Sequence, residues 1–312
     1  MQASFTAGAL AAILMVSSTM TRADAPSALH SFYANLGRSG TALGLAEKDA
    51  SAAATPVRGL YALRSANGST VGYINEAGTL YGTGKGFQVL PARRDQNLRP
   101  LTPEEAANFR AEIMNAIDYD KLVKVNYGAG NDRKQLMFSA VDCGYCQKFE
   151  KEMAKIADKV NATIYVMPAS LGALDAAPDQ WRKVAAIDCA RDRGEAWKTY
   201  WQTMKAPTSP AQCAINPNIA YAHYIDLLMI FNATGIKVTG TPTFIREDGT
   251  VIALRDIRSP EKTFGSEGAV PVPPNPQQWL VADASQPATA EQQQQPGPKK
   301  IKLNNALKSL FN

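Results

Sequence analysis

Cys143-Gly144-Tyr145-Cys146 sets two thiols two residues apart. That spacing suits thiol–disulfide exchange, in which one thiolate attacks a disulfide sulfur and the second thiol resolves the mixed disulfide. The surrounding residues supply what such chemistry needs. The apolar run Leu136-Met137-Phe138-Ser139-Ala140-Val141 leads into the pair and reads as a buried strand. Phe149, Met153, Ile156 and Val160 follow at helical spacing and share one helix face. Cys143 is therefore expected at a helix N-terminus, where unpaired N–H groups and the helix dipole favour a thiolate. The competing use of such a pair is half of a structural zinc site, which needs four cysteine or histidine ligands. Only Cys189, Cys213, His30 and His223 remain, and the two cysteines are too far apart for a second knuckle. No metal or other cofactor is expected.

A second landmark is Gly240-Thr241-Pro242-Thr243. A proline opening a strand downstream of a CxxC is a candidate for a cis Thr241–Pro242 bond. Such a bond beside the thiols would leave strand-edge backbone groups free to pair with an extended substrate.

The elements that must position these groups fall into several pieces. Residues 1–25 read as a secretory signal, with twelve small or apolar residues from Phe5 to Val16 and Ala23-Asp24-Ala25 as the cleavage pattern. Residues 26–100 read as a small antiparallel sheet domain. A short helix is expected at 29–36, strands at 57–64, 70–75, 79–81 and 87–90, and turns at Asn67-Gly68 and Glu76-Ala77-Gly78. Residues 101–121 form a linker helix announced by Thr102-Pro103-Glu104-Glu105, an N-cap, a first-turn proline and a capping box. Residues 122–284 form the redox domain. After the first strand and helix it has a strand at 163–167, two helical patterns between Pro178 and Met204, and a helix at 218–233. Strands at 243–246 and 251–254 flank a hairpin turn, and a closing helix spans 275–284. Trp181, Trp197 and Trp201 are assigned to the core, and His223 to helix packing.

The 312 residues carry a net charge of +5. Much of it lies in the C-terminal tail, where Lys299, Lys300, Lys302 and Lys308 face only Glu291. The folded part is nearly neutral, which excludes a broad nucleic-acid surface. Residues 285–298, rich in Gln and Pro, read as a disordered spacer. Residues 299–312 read as a basic amphipathic segment suited to a membrane surface or a partner groove.

Taken together, Val141-Asp142-Cys143-Gly144-Tyr145-Cys146-Gln147-Lys148, Thr239-Gly240-Thr241-Pro242, and Ile187-Asp188-Cys189-Ala190 with Cys213 resemble the periplasmic disulfide isomerases of the DsbC/DsbG family. The likeness covers about residues 55–260 and includes a weaker match of Pro56-Val57-Arg58-Gly59 through Gln88 to the family's N-terminal domain. It implies an α+β protein with a cystatin-like N-terminal sheet domain, a linker helix and a thioredoxin-like domain with a helical insertion. It also implies a periplasmic V-shaped homodimer, a structural Cys189–Cys213 disulfide, and Gly144-Tyr145 as an isomerase-type intervening pair. The implied partners are misoxidised or unfolded exported proteins and a membrane thiol reductase that keeps the CxxC reduced. Asp142 departs from the threonine usual there, and its charge is expected to oppose the Cys143 thiolate. Two other activities suit the same chain: a DsbG-like reductase of oxidised single cysteines, and a holdase or assembly factor docked to an envelope machine by its tail.

Overall fold

The computed structural model describes residues 24–39, 43–91, 98–130, 133–209, 213, 215–252, 264, 279 and 280. The signal segment up to residue 23, the spacer and basic segment at 285–312, and all of the expected closing helix but Trp279 and Leu280 lie outside them; those two residues form a bend and not a helix.

The N-terminal half is one helix and one sheet. Helix α1 (Ala25–Ser39) is longer than the sequence pattern suggested. Among the described residues the sheet is an antiparallel meander in the order β1-β2-β3-β4-β5-β6. Its strands are β1 (Ala50–Ala54), β2 (Leu60–Ser65), β3 (Thr70–Asn75), β4 (Leu80–Thr83), β5 (Gly86–Val89) and β6 (Arg99–Pro100). Alternate residues point to opposite faces of a strand, and here both faces are covered. Tyr61, Leu63, Ile74 and Tyr81 pack under Phe32 and Leu36 of α1. Leu60, Ala62, Tyr73, Leu80 and Phe87 face the other way, into a core shared with the rest of the molecule. The turn between β3 and β4 lies against α1 so closely that a Cβ on Gly78, whose φ is +65°, would stand 2.3 Å from the Phe32 nitrogen.

Helix α2 (Pro103–Ala116) starts where the capping box places it: Glu105 N–H donates to Thr102 Oγ1 at 3.2 Å, and Thr102 N–H to Glu105 Oε2 at 2.8 Å. Arg99 adds a bidentate pair to Glu105, at 2.7 Å to each oxygen. Phe109, Ile113 and Met114 of α2 enter the same core as the inner sheet face.

The C-terminal half holds a four-stranded sheet in the order β10-β8-β9-β7. Its strands are β7 (Val123–Tyr127), β8 (Gln135–Ala140), β9 (Ala162–Ala169) and β10 (Thr243–Ile245). β8 runs parallel to β9 and antiparallel to β10, and every one of its residues is buried. A continuous apolar run is what a strand covered on both faces requires. Helices α3 (Gly144–Lys155), α4 (Pro178–Asp188), α5 (Arg193–Thr203) and α6 (Pro217–Ala233) surround the sheet. Trp181, Trp197 and Trp201 are all buried in its core. Val160, expected on α3, is buried in the loop after that helix ends at Lys155.

The two halves share one apolar cluster. It joins Leu60, Tyr73 and Phe87 of the first sheet, Phe109 and Ile113 of α2, Leu136 and Phe138 of β8, and Leu227 and Phe231 of α6. Polar bonds cross the same boundary. Tyr73 OH donates to Asp226 Oδ1 at 3.1 Å, and Arg110 Nη1 to Thr234 O at 3.0 Å. Trp279 and Leu280 join the cluster too: Asn75 Nδ2 donates to Trp279 O at 2.7 Å, and Leu280 N–H to Glu112 Oε1 at 2.7 Å.

Candidate active site

β8 delivers the site. After Ala140 the chain turns, with Cys143 N–H donating to Ala140 O at 3.0 Å, and α3 begins at Gly144 with Cys143 as its N-cap. The turn is held from two sides: Val141 N–H donates to Ala169 O at 2.9 Å, and Tyr200 OH of α5 donates to Val141 O at 2.8 Å.

The two thiols differ in environment. Cys143 Sγ accepts from Cys146 N–H at 3.3 Å, as a capping side chain does, and its thiol donates to Thr241 O at 3.2 Å. Burial pushes the Cys143 thiol up, but the donors around it, namely Cys146, the nearby Thr241 hydroxyl and the backbone N–H groups of Cys146 and Tyr145, outweigh burial and hold the thiol below its ordinary range. Cys146 is fully buried, and burial, reinforced by its bond to Cys143, pushes it up to about 12. At neutral pH the first thiol is the more ready nucleophile and the second is held protonated.

The second landmark comes to the first. The Thr241–Pro242 bond is cis, and the Thr241 carbonyl is the one that Cys143 reaches. Cys189 and Cys213 form a disulfide with Cα atoms 5.7 Å apart, which ties the end of α4 to the segment before α6. It stands apart from the CxxC, whose two cysteines are free.

Asp142 behaves differently from expectation. Its carboxylate accepts from Ser170 Oγ at 3.0 Å and from Leu171 N–H at 2.9 Å. Those donors engage both oxygens, and Asp142 is not among the groups that set the Cys143 thiol. The carboxylate anchors the loop after β9, which Trp181 Nε1 holds from the other side by donating to Gly172 O at 2.9 Å.

An apolar rim lies around the thiols. Tyr145, Leu171 and Met204 are 71%, 63% and 44% exposed. Leu171 is bonded to Asp142, beside Cys143, and Met204 Sδ accepts from Gln147 Nε2 at 3.1 Å, beside Cys146. Met204 caps α5 in the left-handed region with φ 57°, a conformation costly for a residue with a side chain.

One turn beyond Cys146, Glu150 is buried between Tyr127 OH, which donates to Oε2 at 2.5 Å, and Trp197 Nε1, which donates to Oε1 at 2.7 Å. Burial raises its carboxyl to about 7 against those two bonds. The sequence signals for the overlooked residues were present. Ser139 is the polar member of the apolar run before the CxxC, and Glu150 follows Cys146 at the i+4 spacing of one helix face. Leu171 and Met204 carried no such signal.

Comparison with known proteins agrees with this geometry. Residues 121–262 match the family described as a thioredoxin-like domain. The thiol:disulfide interchange proteins DsbC of Escherichia coli strains K12 and O157:H7 are each 23% identical over 181 residues, covering 57% of this chain and 69% of theirs. Among solved structures, a disulfide interchange protein from Neisseria gonorrhoeae is 24% identical, with a TM-score of 0.34, over 48% of this chain and 100% of its own. A linker-deletion variant of Proteus mirabilis ScsC is 15% identical, with a TM-score of 0.32, over 51% and 86%. The chain is a thiol:disulfide oxidoreductase with a thioredoxin-like domain, and it is similar to DsbC.

Proposed function

We propose that the protein rearranges incorrect disulfides in exported proteins of the periplasm, with Cys143 as the attacking thiol and Cys146 as the resolving one. The contrast between the two thiols carries this reading: Cys143 is capped, depressed and bonded to Thr241 O, while Cys146 is buried and pushed up to about 12.

The reaction starts with the Cys143 thiolate attacking one sulfur of a substrate disulfide. A mixed disulfide forms and the other substrate sulfur leaves as a thiolate, which takes up a proton. A second substrate thiolate then attacks the mixed disulfide, frees Cys143 and leaves a new pairing. In the alternative branch Cys146 loses its proton and attacks Cys143, so that the substrate leaves reduced and the CxxC leaves as a disulfide. A high Cys146 pKa slows that second branch and gives the substrate time to rearrange, which favours isomerisation. The exposed Tyr145, Leu171 and Met204 give an unfolded segment an apolar surface beside the thiols. A membrane thiol reductase would return the oxidised CxxC to the dithiol, and pairing of two chains through their N-terminal domains would face two such sites. The Cys189–Cys213 disulfide serves as a structural brace.

The test is reactivation of a scrambled multi-disulfide protein by the reduced chain beside its Cys143→Ser variant. Reactivation that depends on Cys143 is expected. Equal reactivation by both proteins, or none from a folded chain whose CxxC is reduced, would discard the isomerase reading.

A further inference from the structure

Ser139 lies in β8, four residues before Cys143, and is fully buried. Its hydroxyl has no partner at acceptable hydrogen-bond geometry. Buried hydroxyls are nearly always paired, because an unpaired one keeps its desolvation penalty with nothing to offset it. The Thr241 hydroxyl is in the same condition. Ser139 shares its face of β8 with Met137, which packs in one core with Cys146, and Thr241 is in contact with Cys143; either hydroxyl favours the Cys146 thiolate. In the dithiol the Cys146 sulfur is protonated and offers a hydroxyl donor only a weak acceptor. A thiolate is a strong one, and charge-assisted bonds are roughly twice as strong as neutral ones.

We infer that the Ser139 hydroxyl is held for the thiolate that Cys146 becomes during the resolving step, donating to it only then, and that it thereby sets how quickly a trapped substrate is released. This rests on the proposed roles of Cys143 and Cys146. The donor needs only to rotate its hydroxyl, which is free to turn because no other bond fixes it. Backbone reorganisation is not required, so the stabilisation is preorganised. Ser139 divides the flux: the faster Cys146 ionises, the more substrate leaves reduced before it can rearrange.

The groups that face Cys146 from each side are few. Cys143 acts on it from the helix start, Ser139 and the Ala140 backbone from β8, and Thr241 from the loop before β10. Asp142 is engaged by Ser170 and Leu171, and Glu150 by Tyr127 and Trp197. Ionisation of Cys146 is therefore governed by burial and by these hydroxyls rather than by a charged side chain.

The experiment follows glutathione disulfide, with a fluorophore on each half, as the full reduced chain consumes it in stopped flow. Cys143 attacks first: one labelled glutathione leaves as a thiolate and takes a proton, and the other half stays on Cys143. Cys146 then loses its proton to solvent and attacks Cys143. The Cys143–Cys146 disulfide forms and the second glutathione leaves and is protonated. The dithiol has lost two electrons and the glutathione disulfide has gained them. The first phase depends on disulfide concentration and appears as dequenching; the second does not and appears as a fall in anisotropy.

In Ser139→Ala the second phase is expected to slow about tenfold at pH 7, its pH midpoint rising by about one unit, with the first phase changed less than twofold. Thermal stability should hold or rise, since an unpaired buried hydroxyl is removed. Ser139→Thr, which keeps a hydroxyl, should keep the midpoint, and Thr241→Val should shift it in the same direction as Ser139→Ala. An unchanged midpoint in both Ser139→Ala and Thr241→Val overturns the inference, as does equal slowing of the two phases. Should Ser139→Ala not fold, the Thr241→Val midpoint and the Ser139→Thr midpoint decide it alone. Cys146→Ser separates the underlying reading: a second phase that persists there means that Cys146 does not resolve, whatever Ser139 does.

Discussion

Burial and hydrogen bonding pull the Cys143 thiol in opposite directions, and hydrogen bonding wins because three donors meet at the start of α3. Alkylation of Cys143 should therefore reach half its limiting rate at a lower pH than for a free cysteine, while Cys146 in the folded chain resists alkylation through about pH 9. Peptide mapping after a pH series of iodoacetamide pulses measures both. Reversal of that order would remove the basis for the assigned roles. Glu150 gives a second prediction. Its carboxyl is raised to about 7 in the fold, against about 4.3 in an unfolded chain. Between those values the folded protein holds a proton that the unfolded one has lost, so stability is greatest below about pH 4.3 on this account and falls as pH rises through 7. The residue lines a cavity of about 700 Å³ with Lys151, Lys155 and Lys198, which gives the proton a route out. Glu150→Gln, whose amide can accept from Trp197 and donate to Tyr127, should flatten the decline in urea midpoint between pH 5 and pH 8. Asp188 and Asp226, also raised by burial, contribute in the same direction and set the residual slope.

At the scale of elements, the caps explain the boundaries. Thr102 and Glu105 start α2, and Asn216 starts α6 by accepting from Ile219 N–H at 3.1 Å. Thr102→Ala should cost about 1 kcal/mol, read as a shift of the denaturation midpoint without a change in slope. The Cys189–Cys213 disulfide, between residues 24 apart in the sequence, closes a loop whose entropy is worth about 3 kcal/mol. A Cys189→Ala, Cys213→Ala double variant should lose up to that much while keeping the CxxC reactive, checked by urea titration and thiol counting. Not all elements were legible. Strand β1 is Ala50-Ser51-Ala52-Ala53-Ala54, a composition with little strand preference. Pairing with β2 makes it a strand, and a window of sequence does not contain that partner. The strands β2 to β5 were readable because branched and aromatic residues alternate with turn signals.

For the whole molecule, the shared core decides behaviour. Phe109 of α2 is fully buried and meets Phe87 of the first sheet edge to face, with centroids 4.9 Å apart. Its cluster also holds residues of β8 and α6. Phe109→Ala should therefore destabilise the protein by about 3–5 kcal/mol. The loss should reach both halves, so tryptophan fluorescence, carried by Trp181, Trp197 and Trp201 in the thioredoxin-like domain and by Trp279 at the boundary, and hydrogen exchange in β2 and β3 should shift together. Independent transitions would show that the halves are separate cooperative units. The Tyr73–Asp226 bond and the seating of Trp279-Leu280 against Asn75 and Glu112 belong to the same boundary. They arise from residues up to 204 positions apart.

The division between sequence and structure follows from range. Local spacing determined the CxxC at a helix start, the capping box of α2, the proline that opens β10 and the largely apolar run of β8, because each depends on neighbours within a turn or a strand. Tertiary structure decided which groups surround those elements. It bonded Asp142 to Ser170 and Leu171, brought the Thr241 carbonyl to the thiol across 98 residues, and closed the first sheet onto α6. It also left the Ser139 hydroxyl unpaired beside Cys146. Burial and hydrogen-bond partnership are properties of the packed chain, and residue types alone do not carry them.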